Sequence, residues 1–274
     1  MYPETLSSSR NPKIKDLKLI SERSKTRRER GLFITEGRKE VERAIEFGYV
    51  LVELYICPEI SGEEYELKLK DICNYSSQIK TYNLSKELYS RIAYREGTEG
   101  IIALFRTKEL RLEEVKLSSD PLIIVLESVE KPGNLGAVIR TADAVNADAV
   151  IVCDPLTDLF NPNIIRSSIG GIFSKQVCAA TSDETYKWLT KNKIEIYTAQ
   201  LQESSLYHEH DMRSGMAIVM GTESAGLSDF WRERANKRIK IPMLGSLDSL
   251  NVSVSAAIIC YEALRQRNFK RTAR

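Results

Sequence analysis

Histidine is nearly absent from this 274-residue chain: only His208 and His210 occur, in a polar stretch. An acyl-transfer triad therefore has little support, since Ser246, Ser249, Ser253 and Ser255 have no histidine near them. His208-x-His210 followed by Asp211 has a spacing that could touch a metal, and equally the composition of a solvated loop. The five cysteines, Cys57, Cys73, Cys153, Cys178 and Cys260, include no Cys-x-x-Cys pair. Zinc ribbons and disulfide frameworks are thereby disfavoured, and buried free thiols in a reducing cytoplasm are expected. No Gly-x-Gly-x-x-Gly follows an expected strand, and no Gly-x-x-x-x-Gly-Lys-Ser/Thr exists, so Rossmann dinucleotide and P-loop chemistry are poorly supported. Apolar runs stop at five or six residues, short of a membrane span, and Met1-Tyr2-Pro3-Glu4 leads into no apolar signal segment. With 14 Gly and 8 Pro among 28% charged and 42% apolar residues, the composition is that of a folded chain with a real core.

What is present begins with a charge distribution that the net +2 conceals. Residues 1–30 carry nine Lys/Arg against four acids, and residues 232–274 carry ten against three, leaving an acidic middle. Two basic ends suit a phosphate-rich partner if they meet in space, and suit equally a pair of solvated helical faces.

Residues 1–106 read as a small α/β domain with a basic leading segment. Asn11-Pro12 starts a helix whose apolar stripe is Ile14, Leu17 and Ile20. Strands are expected at 32–34, 50–56, 78–82 and 101–106, between helices at 37–48, 63–74 and 85–91, the last capped by Ser85. Residues 107–120, charged and serine-containing, read as a linker. In residues 121–274, strands at 122–126, 149–153, 174–177, 194–198, 216–220 and 238–241 interleave with helices. That pattern implies a parallel sheet covered on both faces.

Three strand ends in this second half carry polar turns. The first runs from Pro132-Gly133-Asn134 to Arg140 and enters a helix. The second is Gly221-Thr222-Glu223-Ser224-Ala225-Gly226-Leu227. The third runs from Pro242 to Asn251 and leads into the last helix. In a parallel sheet all three emerge on one edge, where open α/β sheets bind ligands, so their polar groups can converge.

Gly133-Asn134-Leu135-Gly136 through Arg140-Thr141-Ala142, Gly221-Thr222-Glu223 with Gly226-Leu227, and Ile241-Pro242-Met243 through Ser249-Leu250-Asn251 resemble three ordered motifs. They are those of the SpoU/TrmH-type RNA ribose 2′-O-methyltransferases of the SPOUT superfamily. The likeness covers about residues 121–268, and Asn161-Pro162-Asn163 with Arg166-Ser167-Ser168 also fits it. More loosely, Glu36-Gly37 and Glu99-Gly100-Ile101 resemble the substrate-binding domain that many members carry at the amino terminus.

The resemblance implies an α/β fold with a parallel sheet and a carboxyl-terminal trefoil knot, preceded by a smaller α/β RNA-binding domain. It also implies a cytoplasmic homodimer with its sites at the interface. S-adenosylmethionine is the implied cofactor, contacted by Gly221, Ile241, Leu250 and Met243; plain core packing is compatible with Ile241 and Leu250 too. No metal and no membrane enter this reading. Arg140 carries the implied catalytic task, with Asn134, Glu223, Ser249 and Asn251 as orienting groups. A guanidinium has a pKa above about 12, so two accounts stay open: Arg140 acts as a base helped by an RNA phosphate, or it steadies the alkoxide while another group takes the proton. Many members have Asp where this chain has Lys131, and Glu127 stands where another acid is common. The RNA expected is ribosomal rather than transfer RNA; the rival is a non-catalytic RNA-binding or assembly factor on the same scaffold.

Overall fold

The computed structural model describes residues 3–62, 64–65, 68–69, 79–93 and 99–269. Most of the helix expected at 63–74, Cys73 included, and the strand start at 78 lie outside the described residues. The chain forms two compact units: residues up to Lys108 with Phe160–Ser174, and Glu109–Leu159 with the chain from Lys175 onward.

The first unit holds a five-stranded sheet in the order β1-β4-β3-β5-β2. Its strands are β1 (Glu4–Leu6), β2 (Leu32–Glu36), β3 (Leu51–Ile56), β4 (Lys80–Leu84) and β5 (Ile101–Arg106). β4 pairs in parallel with β1 and β3, whereas β5 runs antiparallel to β2 and β3. β1 is too short to show a period, with Leu6 its one buried residue, and pattern reading passed over it. The first helix is broken: α1 (Pro12–Glu22) buries Ile14, Leu17 and Ile20, Arg23 turns to an extended conformation, and α2 (Ser24–Arg30) follows. Next come α3 (Arg38–Glu46), α4 (Pro58–Ser61) and α5 (Lys86–Ile92), the last with Ser85 as N-cap accepting from the Leu88 amide.

The two Glu-Gly motifs of this unit serve one another. Gly37 caps α3 with no side chain to offer, and the Glu99 carboxylate accepts from the Arg38 amide at 2.6 Å instead. A negative group there complements the helix N-terminus. Gly100 has a positive φ, and a Cβ on it would lie 2.6 Å from the Ser61 amide nitrogen, so only glycine fits. The segment Phe160–Ser174, which contains α7 (Pro162–Ser167) and α8 (Gly171–Ser174), packs on this unit. Phe33 stacks on Phe160 and Phe173 at centroid distances of 4.7 and 5.6 Å, and Arg43 Nη1 donates to the Ile169 carbonyl at 3.0 Å.

The second unit is a seven-stranded, wholly parallel sheet in the order β10-β12-β9-β11-β6-β7-β8. The strands are β6 (Leu122–Glu127), β7 (Ala149–Cys153), β8 (Gln176–Ala180), β9 (Glu195–Ala199), β10 (Ser205–Leu206), β11 (Met216–Met220) and β12 (Lys237–Lys240). β6 lies between β11 and β7 with every residue buried, as its unbroken apolar run requires. The helices are α6 (Pro132–Ala144), α9 (Ser182–Lys191), α10 (Asp229–Arg234) and α11 (Val252–Gln266). Pro132 occupies the first turn of α6, and Leu135, Val138, Ile139 and Ala142 form its buried stripe. α6 packs against α11.

Of residues 107–120, which read as a linker, the first two belong to the first unit and those from Glu109 onward to this one. Leu112 is buried in its core, and the buried Asp148 carboxylate accepts from the amides of Ser118 and Leu122 at 2.7 and 2.9 Å. Cys57, Cys153, Cys178 and Cys260 are buried free thiols, and burial pushes the last three up to about 12. Among the described residues no helix is long and apolar enough to cross a membrane.

Candidate active site

All seven strands point one way, so the chain leaves β6, β11 and β12 on the same edge. The three polar turns meet there on one carboxylate. Glu223 Oε1 accepts from Asn134 Nδ2 at 3.1 Å and from Asn251 Nδ2 at 2.5 Å, while Oε2 accepts from Lys131 Nζ at 2.5 Å. Asn251 Nδ2 also donates to Asn134 Oδ1 at 3.1 Å. An ionised carboxylate only accepts, so it suits a ring of three donors. The Lys131 hydrogen bond, with the two amides behind it, holds the Glu223 carboxyl below its ordinary pKa. The same bond holds the Lys131 ammonium above its own.

Each partner is fixed by its own element. Asn134 sits in the first turn of α6. Asn251 is the N-cap of α11, its Oδ1 accepting from the Ser253 amide at 3.0 Å and the Ser253 hydroxyl at 2.6 Å. Behind the Glu223 turn, Thr222 and Gly226 exchange backbone hydrogen bonds at 3.1 and 3.0 Å. Glu127, at the end of β6, accepts from the Ser228 amide at 2.8 Å and its hydroxyl at 2.5 Å, which ties the second turn to the central strand.

Beside this cluster lies a cleft of about 490 Å³, a volume ordinary for a small-molecule site. Gly221, Ile241, Met243 and Leu250, the four residues expected to touch cofactor, all line it, as do Glu223, Ser249 and Asn251. A Cβ on Gly221 would lie 2.0 Å from the Gly226 carbonyl oxygen, so backbone meets backbone at the cleft wall. Two further lining side chains carry buried polar atoms with no partner, Gln200 Oε1 and Arg232 Nε. Buried polar atoms are nearly always hydrogen-bonded, so these two are exceptions among the side chains that line the cleft. S-adenosylmethionine, with apolar and polar groups of both kinds, fits that donor and acceptor set.

Two expected residues stand apart from the cluster. Ser249 donates to Asp248 Oδ1 at 3.2 Å. Arg140 is exposed on α6, six residues beyond Asn134. Six residues are about 240° around a helix and about 9 Å along it, so the two side chains leave different faces. Away from the edge, His210 Nε2 bonds the Ser205 hydroxyl at 2.7 Å, and Asp211 pairs with Arg213 at 2.6 Å.

Sequence reading does not name Lys131 as a partner of Glu223 or Glu127 as a tie to Ser228, and does not single out Gln200 or Arg232 at all. Lys131 had a signal, since a change of charge sign at a motif position asks which group balances it. Gln200 and Arg232 had none, because one follows β9 directly and the other lies within a short helix outside any motif.

Comparison with known proteins agrees with this geometry. Residues 121–261 match the SpoU rRNA Methylase family, and residues 11–103 match the MRM3-like substrate binding domain. The chain is 30% identical over 263 residues to the 23S rRNA (guanosine(2553)-2′-O)-methyltransferase RlmP of Bacillus subtilis (strain 168), covering 93% of this chain and 97% of that one. It superposes on an RNA 2′-O ribose methyltransferase with a TM-score of 0.83 at 38% identity, covering 96% of this chain and 99% of the other. It superposes also on the SpoU methyltransferase AviRb from Streptomyces viridochromogenes in complex with AdoMet, with a TM-score of 0.86 at 25% identity, covering 96% and 100%. The chain belongs to the SpoU rRNA methylase family.

Proposed function

We infer that this chain methylates a ribose 2′-hydroxyl of ribosomal RNA, with S-adenosylmethionine as methyl donor. The observation that carries the reading is the meeting of three turns on the Glu223 carboxylate beside a 490 Å³ cleft with unpartnered polar walls. The names of the relatives supply the substrate class, and the AdoMet-bound AviRb supplies the donor.

When bound, S-adenosylmethionine supplies a methyl group on a positively charged sulfur. Gly221, Ile241, Met243 and Leu250 hold it in the cleft. Alignment supplies much of the acceleration in such a transfer. Asn134, Asn251 and Glu223 orient the RNA, with Ser249 as a hydrogen-bonding neighbour. Arg140 steadies the developing 2′-alkoxide as a fixed cation, since a guanidinium keeps its proton in proteins, and the hydroxyl proton passes to an RNA phosphate or to water.

The same reading makes the protein a homodimer with its sites at the contact. What supports it is the outer stripe of α11, where Val254 and Tyr261 are 47% exposed, together with Leu247 on the third turn at 73%. Arg140 lies exposed on the neighbouring helix α6 and is suited to act across such a contact. The family's trefoil knot at the third turn belongs to this reading as well. The first unit grips RNA through phosphates, and Lys15 and Arg28 of its leading helices have no acidic partner among the described residues. Mapping 2′-O-methylated nucleotides in ribosomal RNA from cells with and without the gene tests the activity. The loss of one site or a few is expected, and identical maps would overturn it.

A further inference from the structure

Arg232 has more donors than the folded chain uses. It lies on α10, nine residues beyond Glu223, and lines the cleft. Its Nε is buried without a hydrogen-bond partner, and no carboxylate among the described residues pairs with its guanidinium. The other arginines of this region are engaged. Arg238 Nη1 pairs with Glu203 at 2.6 Å, and the Arg234 guanidinium lies 4.2 Å from the centre of the Phe230 ring.

The position of Arg232 is also held from several sides. Trp231 beside it is fully buried and donates Nε1 to the Ser182 hydroxyl at 3.1 Å. The Arg232 carbonyl accepts from Arg238 Nε at 3.2 Å. Its Nη2 lies against Gly226, 3.5 Å from where a Cβ on that glycine would stand. A guanidinium that lines the cleft beside the second turn and has no carboxylate partner among the described residues is suited to receive an anion that enters the cleft. The second unpartnered atom, Gln200 Oε1, only accepts and cannot take that anion.

S-adenosylmethionine carries a single anionic group, the α-carboxylate of its methionine part. We propose that Arg232 binds that carboxylate and so selects the intact methionine end of the cofactor. The assignment rests on the cofactor reading above and goes beyond it, since no family motif contains this residue. Arg232 then sets affinity for the donor and holds its amino-acid end in place, at a distance from the transferred methyl.

The test is calorimetric titration of the full chain with S-adenosylmethionine and with decarboxylated S-adenosylmethionine, which keeps the sulfonium and lacks the carboxylate. A charge-assisted pair of this kind corresponds to roughly ten- to hundredfold in affinity. Wild type is expected to prefer the intact cofactor by that factor. Arg232→Gln should weaken the intact cofactor to a similar extent and leave the decarboxylated one within about twofold. Arg232→Lys, which keeps the charge and loses the fork, should fall between the two. Equal affinity of wild type for both ligands overturns the assignment, whether or not any variant folds. An equal loss for both ligands in Arg232→Gln overturns it too, because it would make the residue merely structural. Binding of neither ligand by wild type would instead bring down the cofactor reading itself, and the assignment with it.

Discussion

At the residue scale the site is one carboxylate with three donors. Glu223 sits below its ordinary pKa chiefly because of Lys131. Its native carboxyl lies under the unfolded value of about 4.3. The contribution of the cluster to stability is therefore complete above that value, and is lost as pH falls through the lower native value. Lys131→Met should move the Glu223 carboxyl back up toward the ordinary range, as followed by carbon-13 NMR titration of the side chain; an unmoved titration would deny the pair its role. A second residue shows where the positive charge of the carboxyl end goes. Arg267 donates to the carbonyls of Met212, Asp120 and Ser214 at 2.9, 2.7 and 2.6 Å, and burial lowers its pKa. Arg267→Ala should cost roughly 2–4 kcal/mol in urea unfolding, since three carbonyls lose their donor. A loss under about 0.5 kcal/mol would be that of an ordinary surface residue. Arg27 is likewise structural: it is buried, and Nη1 donates to the Ile20 and Ser21 carbonyls, both at 2.7 Å. Counting charge along the sequence could not tell these arginines from ones that face RNA.

At the element scale, Asn251 has two separable duties. Its side-chain oxygen caps α11, and its amide donates to Glu223. Asn251→Ser keeps a good cap and removes the amide donor, whereas Asn251→Ala removes both. The serine variant should unfold near the wild-type denaturant midpoint, and the alanine variant about 1 kcal/mol earlier. Both should lose methyl transfer by about a hundredfold, the usual cost of misplacing a reacting group. Full activity in the serine variant would mean that the cap alone matters. The inner strands were legible because β6, β7 and β11 are unbroken apolar runs that only a doubly covered sheet accommodates. The break between α1 and α2 was not, because Arg23 is neither glycine nor proline and carries no local stop signal. Convergence of the three turns was legible once the sheet was read as parallel. The face of α6 from which Arg140 leaves was not, since the turn geometry before the helix decides it.

At the scale of the whole molecule, the boundary between the two units escaped sequence reading for a physical reason. Phe160 and Phe173 follow β7 in the chain, yet they complete the aromatic cluster around Phe33, and non-local packing of this sort leaves no periodic trace. The split of basic charge between the ends is also smaller in effect than its tally, because Arg267, Arg238 and Arg27 serve the fold. RNA affinity should still depend on salt, and neutralising Lys15 and Arg28 together should lower the slope of log affinity against log salt by roughly one to two. An unchanged slope in filter binding across a salt series would place the RNA elsewhere. The central claim is that the edge where the three turns meet performs the transfer. Its most direct measurement is incorporation of tritium from methyl-labelled S-adenosylmethionine into unmodified ribosomal RNA, followed by alkaline hydrolysis, which spares the linkage beside a 2′-O-methyl group. Label should appear in alkali-resistant dinucleotides with wild type and fall by about a hundredfold or more with Arg140→Ala; label in mononucleotides, or equal label from both proteins, would contradict the account.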